Sequence, residues 1–360
     1  MNIFAKGWMT LFSQMRRPTG ALQSLFTVKP GNVFTGEKIE IEVERFGEDV
    51  AVVLKKGTGS NLNEADIVSG KEYTPPSYGE AFAADVNDLV KKTAGVDPYT
   101  DGYASHMGKL MSKLMKYFIL SMDMITRGVE IQASQILQTG KLVLTGYDGD
   151  ERYELDFKPK ATHFPTSSVS WSEVASDKLG DLEALASVIR ADGKVNPTDL
   201  WFGATALRLF KQDEQVQKQL DNRRMNIGEL MPRQVGTGAT FQGTVWIGSY
   251  EFRIWSYPEG YNDPETKLFK KYIDDDNVVM TSEQTRFDRV SALVPLPLGT
   301  DPRLANIVPG RLVDRSMDLD VTPNLWCSPD GTVINTDLKS RTLLVPVQID
   351  GFGCLNTKNA

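Results

Sequence analysis

Three kinds of residue in this chain of 360 could do chemistry: two histidines, two cysteines and two runs of acids. His106 and His163 are the only candidates for a nucleophile's general base or for nitrogen ligation of zinc. Neither sits near a C-x-x-C pair or a G-x-S-x-G elbow, so each reads as a surface or packing residue. Cys327 and Cys354 are too few for a disulfide framework and suit a reducing compartment. The run DGDERYE (148–154) opens like a calcium loop, but Arg152 and Tyr153 stand where a ligand and the obligatory glycine belong. It reads as a solvated hairpin tip. The run IDDDN (273–277) offers Asp274, Asp275 and Asp276 to a divalent ion, which keeps a metal-dependent hydrolase in view. Three consecutive carboxylates on a strand cannot converge on one point, and a solvated turn is the simpler reading. The glycines of GTGATFQG (236–243) lack the spacing and the strand–turn–helix setting of a dinucleotide turn, and no Gly-Lys-Ser/Thr phosphate loop occurs. No cofactor, metal or catalysis is expected. A large chain without such groups is more often a structural or binding protein.

Charge carries more information. The formal net charge is −7, which argues against a surface that coats nucleic acid. Residues 1–36 hold Lys6, Arg16, Arg17 and Lys29 and no acid, so the rest of the chain carries −11. A basic start on an acidic body reads as an arm lying against something negative. In EKIEIEVERFGED (37–49), Glu40, Glu42 and Glu44 alternate with Ile39, Ile41 and Val43. As a strand this lines three glutamates on one face, about 7 Å apart, each neighbouring pair repelling by about 0.6 kcal/mol in water. Such a face invites a basic partner.

The elements around these residues follow from their periods. Residues 1–35 are sparsely apolar and broken by Pro18 and Pro30, so they need a surface to dock on. A hairpin is expected with KIEIEVERF as one strand, GED as the turn and VAVVLKK returning to Lys55 and Lys56, followed by a loop-rich stretch to about residue 80. A lone two-stranded hairpin is marginal in water. From Tyr103 to about Gln138, Met107, Leu110, Met111, Leu114, Met115, Phe118, Met122, Ile125, Val129, Ile136 and Leu137 recur at helical spacing, closed by Gly140. KLVLTGY and RYELDF flank Asp148-Gly149 as a second hairpin. DLEALASVIRADG predicts a helix starting at Asp181 and stopping at Gly193, DLWFG a buried strand, and TALRLFKQDEQVQKQLDNRR one helix supported by Glu214 and Lys218. Strands are expected near 244–256, 267–273, 277–282 and in TLLVPVQIDGF. The start lacks the unbroken apolar core of a signal peptide and no stretch of about 18 apolar residues occurs, so a soluble, intracellular protein with no membrane contact is expected.

The order of these parts resembles the major capsid (head) proteins of tailed bacteriophages, the lambda-type family, with the fold first described for phage Hong Kong 97. FTGEKI (34–39) and EYTPPSY (72–78) resemble the entry and exit of that family's extended loop. DLWFGATALRLFK (199–211), LDNRR (220–224) with GEL (228–230), DNVVM (276–280) and PNLWCSPDG (323–331) resemble segments of its axial domain and terminal strands. The resemblance implies an α+β fold: an N-terminal arm (1–35), an extended β-hairpin loop (36–80), a peripheral domain (81–177 and 276–360) with a spine helix at about 103–138, and an axial α/β domain (178–275).

It further implies pentamers and hexamers closing into an icosahedral shell around packaged DNA. The partners would be further copies of the chain, a scaffolding protein, a portal and a decoration protein. DNA contact would be weak and sequence-blind, with the protein assembled in the bacterial host cytoplasm and resident in the virion. Glu40, Glu42, Glu44, Lys55 and Lys56 then become candidate inter-subunit contacts, as do Asp221, Arg223 and Arg224 past a helix end. The methionines at 107, 111, 115 and 122 read as core packing that can also adapt between precursor and mature shells. Lys55, Lys56 or Lys71 would be placed for the lysine–asparagine cross-link some relatives make. An encapsulin-like compartment shell is the alternative reading.

Overall fold

The structure, a computed structural model, describes residues 20–34, 39–43, 69–85, 103–145, 152–220, 228–229, 233–234, 238–264, 266–292, 294, 321–328 and 332–359. A 3-10 turn (Gln23–Leu25) leads into β1 (Thr27–Phe34), β2 (Ile39–Val43), β3 (Ser69–Tyr73) and β4 (Tyr78–Asp85). Next come α1 (Tyr103–Thr139) and the hairpin strands β5 (Lys141–Thr145) and β6 (Arg152–Asp156). The middle of the chain supplies α2 (Lys178–Gly193), β7 (Asp199–Phe202), α3 (Ala204–Lys211) and α4 (Glu214–Leu220). It continues with β8 (Gly228–Glu229), β9 (Arg233–Gln234), β10 (Thr240–Ile247), β11 (Tyr250–Ser256), β12 (Gly260–Asn262) and β13 (Phe269–Lys271). The end contributes β14 (Asn277–Thr281), β15 (Phe287–Ala292), β16 (Val321–Cys327), β17 (Val333–Ser340), β18 (Thr342–Pro346) and β19 (Gly353–Asn356).

The helical period from Tyr103 is realised as α1, 37 residues and therefore about 55 Å long. Leu114, Phe118, Met122, Ile125, Val129, Ala133, Ile136 and Leu137 form its buried stripe. It ends where Gly140 turns to φ +65° and donates its N–H to the carbonyl of Ile136 at 2.8 Å. A side chain there would collide with Pro159, so the stop signal is steric as well as conformational. No described helix is long and apolar enough to cross a membrane.

Among the described residues the largest sheet has seven strands in the order β19-β14-β7-β11-β10-β8, with β9 also paired to β10. Only β7 and β11 run parallel among its pairs. All four residues of β7 are buried, as DLWFG predicts. α2 and α3 cover this sheet, and Trp171, Leu182, Leu185, Ile189, Phe202, Phe210, Phe252 and Ile254 belong to the core between them. The sheet takes β14 and β19 from the stretch that the sequence groups with the peripheral part.

A second core gathers the C-terminal half of α1, the β1-β15-β18 sheet, the β5–β6 hairpin and the start of the described chain at Ala21, Leu22 and Phe26. A third sheet, β16-β17-β4, is antiparallel throughout, and α1 lies against β4 and β17. Among the described residues, β2 and β3 pair only with each other.

Three local expectations are corrected. The stretch read as one helix from Thr205 is two, α3 and α4, parted at Gln212 and Asp213. Asp213 Oδ1 accepts the N–H groups of Gln215 (2.8 Å) and Val216 (3.3 Å), so its side chain starts a new helix instead of continuing the old one. α2 is capped by Asp177, whose carboxylate accepts the N–H of Gly180 at 3.0 Å, and not by Asp181. Asp181 faces the other way and accepts from the Ser167 hydroxyl and the Trp171 indole N–H. Finally, β2 finds its described partner in β3, within the stretch read as loop; the expected return strand at 50–56 lies outside the described residues.

Candidate functional site

The groups that could carry function stand where separate elements meet. At the root of the β2–β3 pair, Tyr73 is buried and packs on Phe157, ring centroids 5.8 Å apart. The Tyr153 hydroxyl donates to the carbonyl of Thr74 at 2.7 Å, and burial pushes that phenol up to about 12. Four residues on, Tyr78 opens β4 beside the spine helix α1. Gln132 donates to its hydroxyl at 2.6 Å and to the Thr342 carbonyl at 3.1 Å, while its own carbonyl accepts the Leu344 N–H at 3.2 Å. One fully buried amide therefore ties the loop's exit to α1 and β18. The hairpin is anchored at its base, and its strands lean on no third strand among the described residues.

A parallel anchor holds the 3-10 turn before β1. Glu130 of α1 is buried, with Oε1 accepting the N–H of Leu22 (2.8 Å) and Oε2 that of Gln23 (3.0 Å). Burial pushes its carboxyl above the usual range, opposed by those two N–H groups and by the Tyr257 hydroxyl.

The acid turn 274–276 acts through its backbone. The carbonyl of Asp275 accepts the Ala206 N–H at 2.9 Å, and that of Asp276 accepts the Thr357 N–H at 2.9 Å. Gln138, near the end of α1, accepts the N–H of Asp274 at 3.0 Å. The turn thus joins α1, α3 and the C-terminal tail. Asp275 pairs with Lys271 at 2.6 Å, and burial followed by its two acidic neighbours pushes the Asp274 carboxyl up. Among the described residues, no three His, Cys, Asp or Glu side chains gather as a metal site.

His163 is a packing histidine. It is fully buried, with Nδ1 donating to the Phe352 carbonyl at 2.9 Å and Nε2 lying 3.2 Å from Asp192, which also pairs with Lys160. The side chain of His106 lies outside the described residues.

Of the contact residues expected from sequence, Glu40 and Glu42 lie on β2, opposite Glu72 and Gly70 in register. The register therefore adds a fourth acid, Glu72, beside the run. Lys71 stands opposite Ile41, and Lys29 lies on β1. Glu44, Lys55, Lys56, Asp221, Arg223, Arg224, Lys6, Arg16 and Arg17 lie outside the described residues. Sequence reading missed Glu130 and Gln132, because an acid or amide on a helix reads by default as a solvated face, and Tyr78 and Tyr153, because the partners of their hydroxyls lie more than 50 residues away.

Large apolar side chains also remain in solvent. Ile119, Leu120 and Met124 lie along α1, Leu268 and Phe269 at the β12–β13 hairpin, and Trp326 on the edge strand β16. An α+β body with a rooted two-stranded loop and uncovered apolar residues has the build of a subunit that further copies complete.

The chain is similar to a crystal structure described as the capsid protein of a prophage of E. coli CFT073, with TM-score 0.60 and 15% identity over 99% of each chain. This is the Hong Kong 97-type capsid fold. More distant are a phage-related protein from Bordetella bronchiseptica RB50 (TM-score 0.48, 11% identity, 100% of each chain) and the holo-SrpI encapsulin complex from Synechococcus elongatus PCC 7942. The latter has TM-score 0.40 and 8% identity over 98% of this chain and 88% of that one. Among curated proteins, none matches the sequence. The chain belongs to the family described as phage major capsid protein E, whose profile matches residues 9–352. It is a shell-forming capsid protein, and its place is the virion.

Proposed function

We propose that this chain builds the icosahedral head of a tailed phage, as pentamers and hexamers around packaged double-stranded DNA, in a structural and not a catalytic role. The observation that carries this reading is the β2–β3 pair: a two-stranded sheet rooted through Tyr73 and Tyr78, without a third strand among the described residues. Two strands alone are marginal, so an extended loop over residues 36–80 gains its stability from the subunit it lies across. Glu40, Glu42 and Glu44 meet basic residues there, and Lys55 and Lys56 meet acids. Asp221, Arg223 and Arg224 sit at a seam between axial domains (178–275), while the peripheral domain (81–177 and 276–360) carries the spine helix. The basic arm, with Lys6, Arg16 and Arg17, lies against phosphate or beneath a neighbour, whereas Lys29 belongs to β1 in the subunit's own sheet. The net charge of −7 keeps the hold on DNA weak. A scaffolding protein, a portal and a decoration protein complete the head, which assembles in the bacterial cytoplasm.

Electron microscopy of particles purified from infected or expressing cells tests the reading. Closed icosahedral shells, DNA-filled when the packaging machinery is present, are expected. Shells that hold enzyme cargo and never DNA would assign the chain to a compartment instead.

A further inference from the structure

The N–H groups of Leu22 and Gln23 and the close approach of Gly20 seat the 3-10 turn on α1 at Glu130. Ala21, Leu22 and Phe26 share a core with Val129, Ala133 and Leu137, so residues 20–26 cover one side of the helix there. Followed towards the start of α1, that side loses its cover. At about 3.6 residues per turn, Ile119 and Asp123 lie within about 20° of Glu130 around the axis, and Leu120 about 80° to one side. Ile119, Leu120 and Met124 keep 44%, 38% and 39% of their surface in solvent, bordered by Lys116, Asp123 and Arg127. The bare stretch starts about 9 Å along the axis from Glu130, at Met124, and reaches Ile119 at about 16 Å. It is an apolar patch continuous with a covered one.

The segment that joins this face at Gly20 has a matching period. Phe4, Trp8, Leu11, Phe12 and Met15 recur at helical spacing, and on a helix they share an arc of about 100°, with Lys6, Ser13 and Arg17 opposite. From residue 4 to 15 such a helix spans about 16 Å, the length from residue 119 to 130. Pro18 sets its end before Gly20. We propose that residues 4–15 lie as an amphipathic helix along the exposed face of their own α1, where Phe4, Trp8, Leu11 and Met15 cover Ile119, Leu120 and Met124. The tether decides which copy is covered. Met15 can stand no more than about 18 Å from Gly20, so the apolar edge meets its own α1 at high effective concentration. Lys6 and Arg17 then face away from the helix. The contact belongs to one subunit and does not depend on shell assembly.

Photocrosslinking of the full-length protein reads the contact. With p-benzoylphenylalanine in place of Trp8, irradiation should form adducts with residues 116–127 of the same chain, monomer-sized on a denaturing gel and mapped by mass spectrometry. L120E/M124E changes two exposed side chains, so the fold should persist by circular dichroism while most of that adduct is lost. Adducts confined to other parts of the body, dimer-sized adducts from a neighbouring copy, no adduct at all, or a yield unchanged in L120E/M124E would each overturn the proposal. If the labelled protein does not fold, hydrogen exchange of the unlabelled chain carries the test. Amides of residues 5–15 should be protected in the wild type and lose that protection in L120E/M124E. Amides that exchange freely in both, or that stay protected in both, would equally overturn it.

Discussion

Lys178, the first residue of α2, places its Nζ 2.6 Å from Oδ2 of Asp213 in the break between α3 and α4. Both side chains are nearly out of solvent, at 8% and 13% exposure, so neither can fall back on water if the other is lost. The pair fixes how α4 leaves the body.

K178M should therefore destabilise the subunit by about 2–4 kcal/mol, since removal of one partner strands the other charge. Urea unfolding followed by tryptophan fluorescence checks this, with Trp171 and Trp201 as reporters. Burial works against the Asp213 charge, but Lys178 and the N–H groups of Gln215 and Val216 outweigh it and hold the carboxyl below the usual range. A depressed acid contributes stability above its ordinary value of 3.8, lost as pH falls through the lower folded value. Wild-type stability should show this acid loss, and K178M much less of it.

Q132A should cost about 2–4 kcal/mol. The buried amide serves the Tyr78 hydroxyl, the Thr342 carbonyl and the Leu344 N–H; its removal chiefly orphans the Leu344 N–H, at about 1–3 kcal/mol, and leaves a cavity that adds about 1 kcal/mol, while the Tyr78 hydroxyl keeps the Gly128 carbonyl. Thermal unfolding reads the loss. Increased proteolysis near residues 69–78 would show that the loop's root loosens first.

G203A and G79A should part company sharply. A Cβ at Gly203 would stand 2.1 Å from the Asp274 carbonyl oxygen, a backbone atom held by the acid turn, so soluble expression should collapse. At Gly79 the nearest atom is Lys339 Cγ at 3.9 Å, and alanine should be neutral within about 0.5 kcal/mol. Parallel expression and melting curves of the two variants decide it.

These sites also show what sequence could reveal. α1 was legible because its stripe and the Gly140 stop are local and agree with each other. The β5–β6 hairpin and the buried β7 were legible for the same reason. The break at Asp213 was not, because its cause includes Lys178, 35 residues away. Nor was β19, whose place beside β14 depends on a pairing across some 75 residues. Glu130 was invisible for a related reason: only the fold brings the Leu22 and Gln23 N–H groups to it, from more than 100 residues away. The glutamates at 40, 42 and 44 stood out from alternation alone, and Glu72 joins them only through the register.

The triple reversal E40K/E42K/E44K should impair assembly while leaving the subunit folded. Each exposed ion pair contributes about 0–1 kcal/mol, so no single interface collapses, yet a closed shell repeats the loss at every contact. Sedimentation of the expressed variant against wild type separates free subunits from shells. Normal shells would show that the acids merely face water.

Sedimentation velocity of the full-length wild-type protein over a range of concentrations tests most directly whether sister copies complete this chain. Large closed particles should dominate, with hydrogen-exchange protection of residues 39–43 and 69–73 gained only on assembly. A compact monomer persisting at high concentration, with those strands already protected, would contradict the account.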